Sequence, residues 1–528
     1  MTFTELITKN SFLIGILIIV LCACKETEMI EPIAQARPNI LFIMSDDHTS
    51  QAWGVYGGVL EKHAYNKNIK RLTEEGALLK NAFCTNSICV PSRGAILTGQ
   101  YSHQNDIFTL SDHLSPESNN IAKVLQHSGY ETAIIGKWHL KKEPAGFDHY
   151  SVLPGQGVYN NPKLKTKGID IWQDHNKGGT NYEGFSADVI GDHSIEWLKN
   201  RNSKKPFFLM THFKATHEPF DYPERHTHLY DDIDIPEPES LYDFGPKTTG
   251  RSFIGQKLEI AYQRYLDDEK RAPEDRQYPG HAVHGEGLDS IQIRKLTYQK
   301  FVKDFLKSGA AIDDNIGNLL DYLEDSKMAD NTIVIYTADQ GYFLGEHGFF
   351  DKRMIYEEAL RMPFVIRYPK EIKGGSKIDD IILNIDFPAL FADYAGIKKP
   401  DFIQGSSFRN ILNGHPVEDW RDEIYYRYWQ HIPVRPAHFG IRDERYKLAL
   451  FYGQPLDMNG AQKETTEPAW EFYDLQEDPN EVNNAYNDPS YKAKITEMKK
   501  RLSKLRQEIG DTDEHYPIMQ DIFKDYWK

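Results

Sequence analysis

The chain has 528 residues, 40% hydrophobic and 27% charged, the balance of an ordinary globular protein. That composition excludes collagen-like repeats, wholesale disorder and a polytopic membrane protein, and the length suits roughly two to four domains, or one large α/β domain with an appendage. With 62 basic against 78 acidic residues the formal net charge is −16, which argues against a nucleic-acid-binding surface while leaving room for a local basic pocket.

The first predicted feature is the apolar run Phe12–Ala23, too short for a membrane span and placed like the core of an export signal. It runs into Leu21-Cys22-Ala23-Cys24, which resembles the lipobox of bacterial lipoproteins. The resemblance implies a signal peptide over residues 1–24, acylation of Cys24, and an exported outer-membrane lipoprotein facing the periplasm or the cell surface. Lys25 followed by Glu26, Thr27 and Glu28 resembles the surface-export signal of some Bacteroidetes lipoproteins. Residues 25–37 read as a polar linker. Beyond it only Cys84 and Cys89 remain, neither a disulfide framework nor a four-ligand zinc pattern.

From Pro38 onward short β-rich apolar runs alternate with helical periodicity. Strands are predicted over Asn39–Met44, Glu131–Ile135, Pro206–Phe213, Asn331–Thr337 and Pro363–Arg367. Helices are predicted over Asn120–His127, Ala187–Arg201 and Tyr298–Glu324. This order implies an α/β fold with a large mixed, mostly parallel sheet sandwiched by helices, here assigned to residues 38–417. Between Glu218 and about Ile291 lies a charged, Pro-rich stretch of little periodicity, read as a surface insertion that shapes substrate access. Residues 418–528 change texture: Ile424–Trp429, Phe439–Leu450 and Trp470–Leu475 read as aromatic strands and Ser490–Ile509 as an amphipathic helix, giving a smaller antiparallel subdomain.

Ligands of parallel sheets gather at the carboxyl ends of the strands. Those ends here carry Asp46-Asp47, Lys137-Trp138-His139, His212 to His217, and Asp339-Gln340. Asp46, Asp47, Asp339 and Gln340 offer only oxygen ligands or an amide, which suits a hard cation such as calcium or magnesium. Arg93 follows Cys89 by about one helical turn, so both face one pocket if Pro91 starts a helix, whose amino terminus favours an anion. Lys137 and His139 share a face of an extended backbone.

The segment Cys89-Val90-Pro91-Ser92-Arg93-Gly94-Ala95-Ile96-Leu97-Thr98-Gly99 resembles, at every fixed position, the signature C-x-P-S-R-x-x-x-L-T-G of the formylglycine-dependent type I sulfatases of the alkaline phosphatase-like superfamily. The resemblance implies that a maturation enzyme oxidises Cys89 to 3-oxoalanine (formylglycine), whose hydrate attacks sulfur. It also implies one calcium ion held by Asp46, Asp47, Asp339, Gln340 and the modified Cys89. Gln340 stands where many members carry Asn. Arg93, one turn beyond Cys89, is placed to hold the hydrate; by the resemblance Lys137 contacts sulfate or the nucleophile, Lys352 binds sulfate, His139 takes the proton that triggers sulfate release, and His217 serves the leaving group. With a divalent ion the pocket is net positive despite the acidic whole.

The segments His438 to Arg442 and Arg445 to Leu448 resemble sulfatases of polysaccharide-degrading Bacteroidetes. They imply a sulfated polysaccharide or its oligosaccharides as substrate, with a marine algal glycan such as ulvan favoured and carrageenan, fucoidan and animal glycosaminoglycans open. Trp138, His438 and Arg442 are candidate substrate contacts, as is the Tyr425–Trp429 cluster. Two other readings compete: a phosphate or phosphonate ester hydrolase of the same superfamily, and a glycan-binding lipoprotein that lost catalysis.

Overall fold

A computed structural model of the protein describes residues 37–242 and 257–527. The export signal and Cys24 lie outside the described residues. Among the described residues an 11-stranded sheet is built from β1 (Asn39–Asp46), β2 (Ala77–Phe83), β3 (Glu131–Lys137), β4 (His149–Leu153), β5 (Lys163–Thr166), β6 (Thr180–Asn181), β7 (Phe207–Thr216), β8 (Thr332–Ala338), β9 (Arg361–Arg367), β10 (Ser376–Ile378) and β11 (Ile382–Leu383). Its order is β10-β2-β9-β8-β1-β7-β3-β4-β5-β6, with β11 also on β2. The centre, β8-β1-β7-β3-β4, is parallel. β9 runs against both β8 and β2, and β5 and β6 are antiparallel.

All eight residues of β1 are buried, as a strand covered on both faces requires. Its alternation sends Ile40, Phe42 and Met44 into one core and Leu41 and Ile43 into the other. The first core is roofed by the helices Ile121–His127 and Phe387–Tyr394, the second by Lys67–Glu74, Ser186–Asn200 and Ser290–Asp325. The long helix begins eight residues before its predicted start at Tyr298, because Asp289 and Gln292 form a capping box with the backbone there.

The mixed sheet and its helical cover match the predicted architecture. β2, β4 to β6, β10 and β11 escaped prediction: the periodicity of β2 is broken by Lys80 and Asn81, and the others are short. The helix Cys89–Thr98 starts two residues before Pro91 and buries all ten residues. Proline is tolerated there because the first turn has no intrahelical N–H bond to lose. The helix stops at Gly99, whose φ of +68° closes it in the left-handed region.

A second sheet of β12 (Glu423–Tyr428), β13 (His438–Asp443), β14 (Tyr446–Phe451) and β15 (Ala469–Asp474) is antiparallel in sequence order. The predicted strand Phe439–Leu450 is in fact two, folded back at Glu444-Arg445, where Asp443 accepts the backbone N–H groups of Arg445 and Tyr446. The helix Lys492–Ile509 covers this sheet with Ile495, Met498 and Leu502. The same core takes in Ile88 and Ala95, so the second sheet also backs the helix that begins at Cys89. Tyr426 ties the two together, its hydroxyl accepting from the Ser87 N–H and donating to the Arg353 carbonyl. Of the insertion, the helix Leu258–Glu269 buries Leu258, Ala261 and Tyr265. Among the described residues no helix is long and apolar enough to cross a membrane.

Gly136, the residue before Lys137, has φ +103°, and a Cβ there would lie 2.0 Å from the His212 carbonyl oxygen on β7. Gly136→Ala is expected to cost about 3 kcal/mol, from overpacking and backbone strain together. A shift in the urea midpoint equivalent to less than about 1 kcal/mol would show that β3 and β7 yield at this point.

Candidate active site

The carboxyl ends of β1, β3, β7 and β8 converge on one buried cluster. Asp46 closes β1, and Asp47 turns the chain away with φ +64°, a conformation that Asp tolerates better than most residues. Asp339 follows β8, and its carboxylate accepts the Asp47 N–H at 3.1 Å. Oxygens of Asp46, Asp47 and Asp339 all lie within 4.8 Å of one another, and the three side chains are 0–1% exposed.

Three cations surround them. Arg93 donates from Nε to Asp339 at 2.9 Å and from Nη1 to the Lys137 carbonyl at 2.7 Å, with Nη2 3.4 Å from Asp46. Lys137 donates to Asp46, and to Gln156 Oε1 at 2.5 Å. Lys352 holds both oxygens of Asp47 and stands 3.5 Å from Cys89 Sγ. His217 Nε2 lies 3.9 Å from Asp47, while its Nδ1 is bonded to the Glu218 carbonyl at 2.7 Å. Asp46, Cys89 and His217 present ligand atoms within 4.8 Å of one another. His139, at φ +59°, is enclosed with its Nδ1 unpartnered among the described residues.

Burial dominates the electrostatics. It works against the Asp46 carboxylate, but Lys137, His217, Arg93 and Lys352 together outweigh it and hold the pKa well below the usual range. Asp47 is pushed up by burial in spite of Lys352, and Asp339 is pushed up to about 7 in spite of Arg93. Burial and then Lys137 drive both His139 and His217 well below the usual imidazole value. Burial and the neighbouring Asp46 raise the Cys89 thiol to about 12. A thiol so raised is protonated at neutral pH and is a poor nucleophile.

The raised carboxyls mark enclosed charge that burial penalises more than the three cations relieve it. Gln340 adds an orphan: its Nε2 donates to Asp47, but its buried Oε1 has no hydrogen-bond partner among the described residues. Three carboxylates and one free amide oxygen form a donor set that fits a hard divalent cation.

The structure therefore brings Asp46, Asp47, Cys89, Arg93, Lys137, His139, His217, Asp339, Gln340 and Lys352 together. It places the three expected substrate contacts elsewhere. Trp138 lies in the sheet core, Nε1 donating to the Lys142 carbonyl at 2.6 Å. His438 is fully enclosed, stacked on Phe451 at 4.5 Å, and Arg442 is spent on Glu357 at 3.0 Å. Residues Tyr425, Tyr426, Tyr428 and Trp429 are likewise core. Each of these side chains is committed to an internal partner and offers a ligand no surface. Sequence reasoning missed Gln156, which caps Lys137; its one signal is the pair of flanking glycines, both with positive φ, in the loop after β4. The insertion, read as shaping substrate access, borders the site, where Arg264 grips Glu218, next to His217, at 2.6 and 2.7 Å.

A family model described as "Sulfatase" matches residues 38–397. The chain belongs to the sulfatase family. A further model, "N-sulphoglucosamine sulphohydrolase, C-terminal", matches residues 345–508. An N-acetylglucosamine-6-O-sulfatase of Bacteroides thetaiotaomicron is 36% identical over 517 residues, covering 90% of this chain and 88% of that one. A solved chain in complex with its substrate D-glucosamine-2-N,6-O-disulfate superposes with a TM-score of 0.81 at 35% identity, covering 91% of this chain and all of the other. An ulvan-active sulfatase of Formosa agariphila is 27% identical, covering 90% of this chain and 81% of the relative. The protein is thus a sulfuric ester hydrolase.

Between the ordinary carboxylate pKa of about 3.9 and the value of about 7 in the fold, Asp339 binds more proton in the native state than in the unfolded one. Its contribution to the stability of the metal-free protein therefore falls as pH rises through that window. The difference in unfolding free energy between the metal-free protein and its Asp339→Asn variant should change with pH between 4 and 7 in that sense. Added calcium should remove the trend and stabilise the parent by about 2.7 kcal/mol at ~100 times its Kd. Parallel pH profiles for parent and variant, indifferent to calcium, would contradict the reading.

Proposed function

We propose that the protein removes the 6-O-sulfate of N-acetylglucosamine or N-sulfated glucosamine in glycosaminoglycan-type oligosaccharides. The reading is carried by the 36% identity, over nine-tenths of the chain, to an enzyme of that specificity, and is supported by the TM-score of 0.81 to a chain bound to a 6-O-sulfated glucosamine. The algal alternative rests on lower identity. Export and lipidation at Cys24 are part of the same proposal and would put the enzyme where extracellular glycans arrive.

The nucleophile in this reading is Cys89 after oxidation to formylglycine by a maturation enzyme. One hydroxyl of the aldehyde hydrate, its proton passing to a pocket carboxylate, attacks sulfur as the bond from sulfur to the sugar oxygen breaks. Loss of the proton from the other hydroxyl then expels sulfate and restores the aldehyde, to which water adds to re-form the hydrate. Asp46, Asp47, Asp339 and Gln340 would hold calcium, which supplies charge stabilisation to the anionic ester.

The chain's own residues do the rest. Arg93, locked on Asp339, fixes the first turn that carries residue 89. Lys137 and Lys352 bring positive charge to the sulfate oxygens. His217, its ring oriented by the Nδ1 bond to the Glu218 carbonyl, presents Nε2 to the pocket. As Nδ1 carries the proton of the neutral ring, it gives a proton to the leaving sugar oxygen from the imidazolium form, which the arriving anionic ester favours against the burial that disfavours it. His139 accepts the proton of the second hydroxyl.

Matured enzyme should desulfate N-acetylglucosamine 6-sulfate at least about 100-fold faster than N-acetylgalactosamine 4-sulfate, because the pocket reads the position of the ester. Turnover confined to ulvan oligosaccharides would overturn the substrate reading. His217→Ala should lower turnover of the sugar sulfate by about 10²- to 10⁴-fold, and that of 4-nitrophenyl sulfate, whose leaving group needs no proton, far less. Equal losses on the two would remove His217 from the role of acid.

A further inference from the structure

Lys214 sits beside the catalytic groups, and nothing in the chemistry above uses it. On β7, Phe208 and Met210 pack into one core while Leu209, Phe213 and Ala215 pack into the other. The alternation carries the face of Phe208 and Met210 on through His212 to Lys214, past the core and into the polar end of the sheet. The Lys214 side chain is only 3% exposed. Its Nζ lies 4.7 Å from the centre of the Tyr159 ring, and among the described residues it donates no hydrogen bond and forms no ion pair. That ring is itself fixed, its hydroxyl donating to the His217 carbonyl at 2.5 Å and its face stacked on Phe185 at 5.6 Å. Lys214 is therefore held in the same frame as His217.

The contrast with the other cations of the pocket is the argument. Arg93 is paired with Asp339, Lys137 with Asp46 and Lys352 with Asp47. Lys214 alone among these four lacks a carboxylate. Asp221, Asp46 and Asp47 are near enough to feel Lys214, but none lies within ion-pair distance; an enclosed ammonium without a bonded counter-charge is expensive, and an aromatic face repays only part of the cost. Burial and then Lys137 lower its pKa to about 7, while Asp46, Asp47 and Cys89 are close enough to be felt. A cation kept in this state is stabilised by an anion that arrives.

We propose that Lys214 is a third lysine for the substrate's sulfate group, binding an oxygen of the ester alongside Lys137 and Lys352, with Tyr159 as the rest on which it waits. The inference depends on the placement of the ester over residue 89 proposed above, and not on the identity of the sugar. It makes Tyr159 a positioning residue, since the ring contacts the lysine rather than the ester.

The test uses the full-length matured enzyme, its Lys214→Met and Lys214→Arg variants, 4-nitrophenyl sulfate as substrate and inorganic sulfate as competing ligand. Lys214→Met should raise both KM and the sulfate inhibition constant at least about tenfold, the worth of one charged hydrogen bond, and Lys214→Arg should recover most of that loss. Because an unpaired buried charge is removed, the Tm of Lys214→Met should stay level or rise. An unchanged sulfate inhibition constant in Lys214→Met would overturn the proposal, and so would a fall in Tm accompanied by normal sulfate binding, which would mark Lys214 as a packing partner of Tyr159. If Lys214→Met does not fold, the inhibition constant of a Lys214→Gln variant decides in the same way. A Cys89→Ala control that kept its activity would instead remove the nucleophile reading, which separates the two failures.

Discussion

Three carboxylates at the ends of two neighbouring parallel strands, all enclosed, cannot remain charged without compensation. Asp46 and Asp47 leave β1 and Asp339 leaves β8, and the rest of the site is arranged around that concentration of charge. Arg93 brings the first turn of the helix Cys89–Thr98 against it, Lys137 brings the end of β3, and Lys352 the loop beyond β8. These ion pairs join segments from 47 to 305 residues apart in sequence, so the carboxylates organise the end of the sheet. The cations match the carboxylates in number, yet burial still raises Asp47 and Asp339 and the Gln340 oxygen is orphaned, features that a divalent cation would relieve.

The second sheet and the insertion serve the same centre from outside. Tyr426 of β12 supports the backbone at Ser87, two residues before Cys89, and the core behind that sheet includes Ile88 and Ala95. From the other side Arg264 of the insertion fixes Glu218, whose carbonyl orients His217. Neither sheet nor insertion contributes a charged group to the carboxylate cluster itself; each sets the position of a residue to which the proposed mechanism gives a role.

Much of this was legible in the sequence because it is local. The run Asn39–Met44, apolar at every position but the first, can hardly be other than a buried strand, and the polar residues just after it, after Gly136 and after Ala338 mark strand ends. The spacing of Cys89 and Arg93 is one helical turn, and it holds even though the helix begins before Pro91. What was not legible depends on which side of a strand faces a pocket. His438 and Arg442 sit in a strand of mixed residues whose orientation the sequence does not reveal, and Arg442 turns inward because Glu357, far away in sequence, is there to receive it. Trp138 alternates with Lys137 and His139 and so takes the opposite, core-facing side. Gln156 enters the site only through Lys137, and the role proposed for Lys214 rests on the Tyr159 ring beneath it and on the absence of a bonded carboxylate, all of them brought together by the fold.

The central claim is that residue 89 acts as an aldehyde hydrate and not as a thiol, whose pKa of about 12 unfits it for attack. The most direct measurement is the mass of the tryptic peptide Asn81 to Arg93 from active enzyme purified from its native host, a peptide that contains both Cys84 and Cys89. The account predicts an aldehyde at residue 89 and an unmodified thiol at residue 84. Two unmodified thiols in fully active enzyme would contradict it.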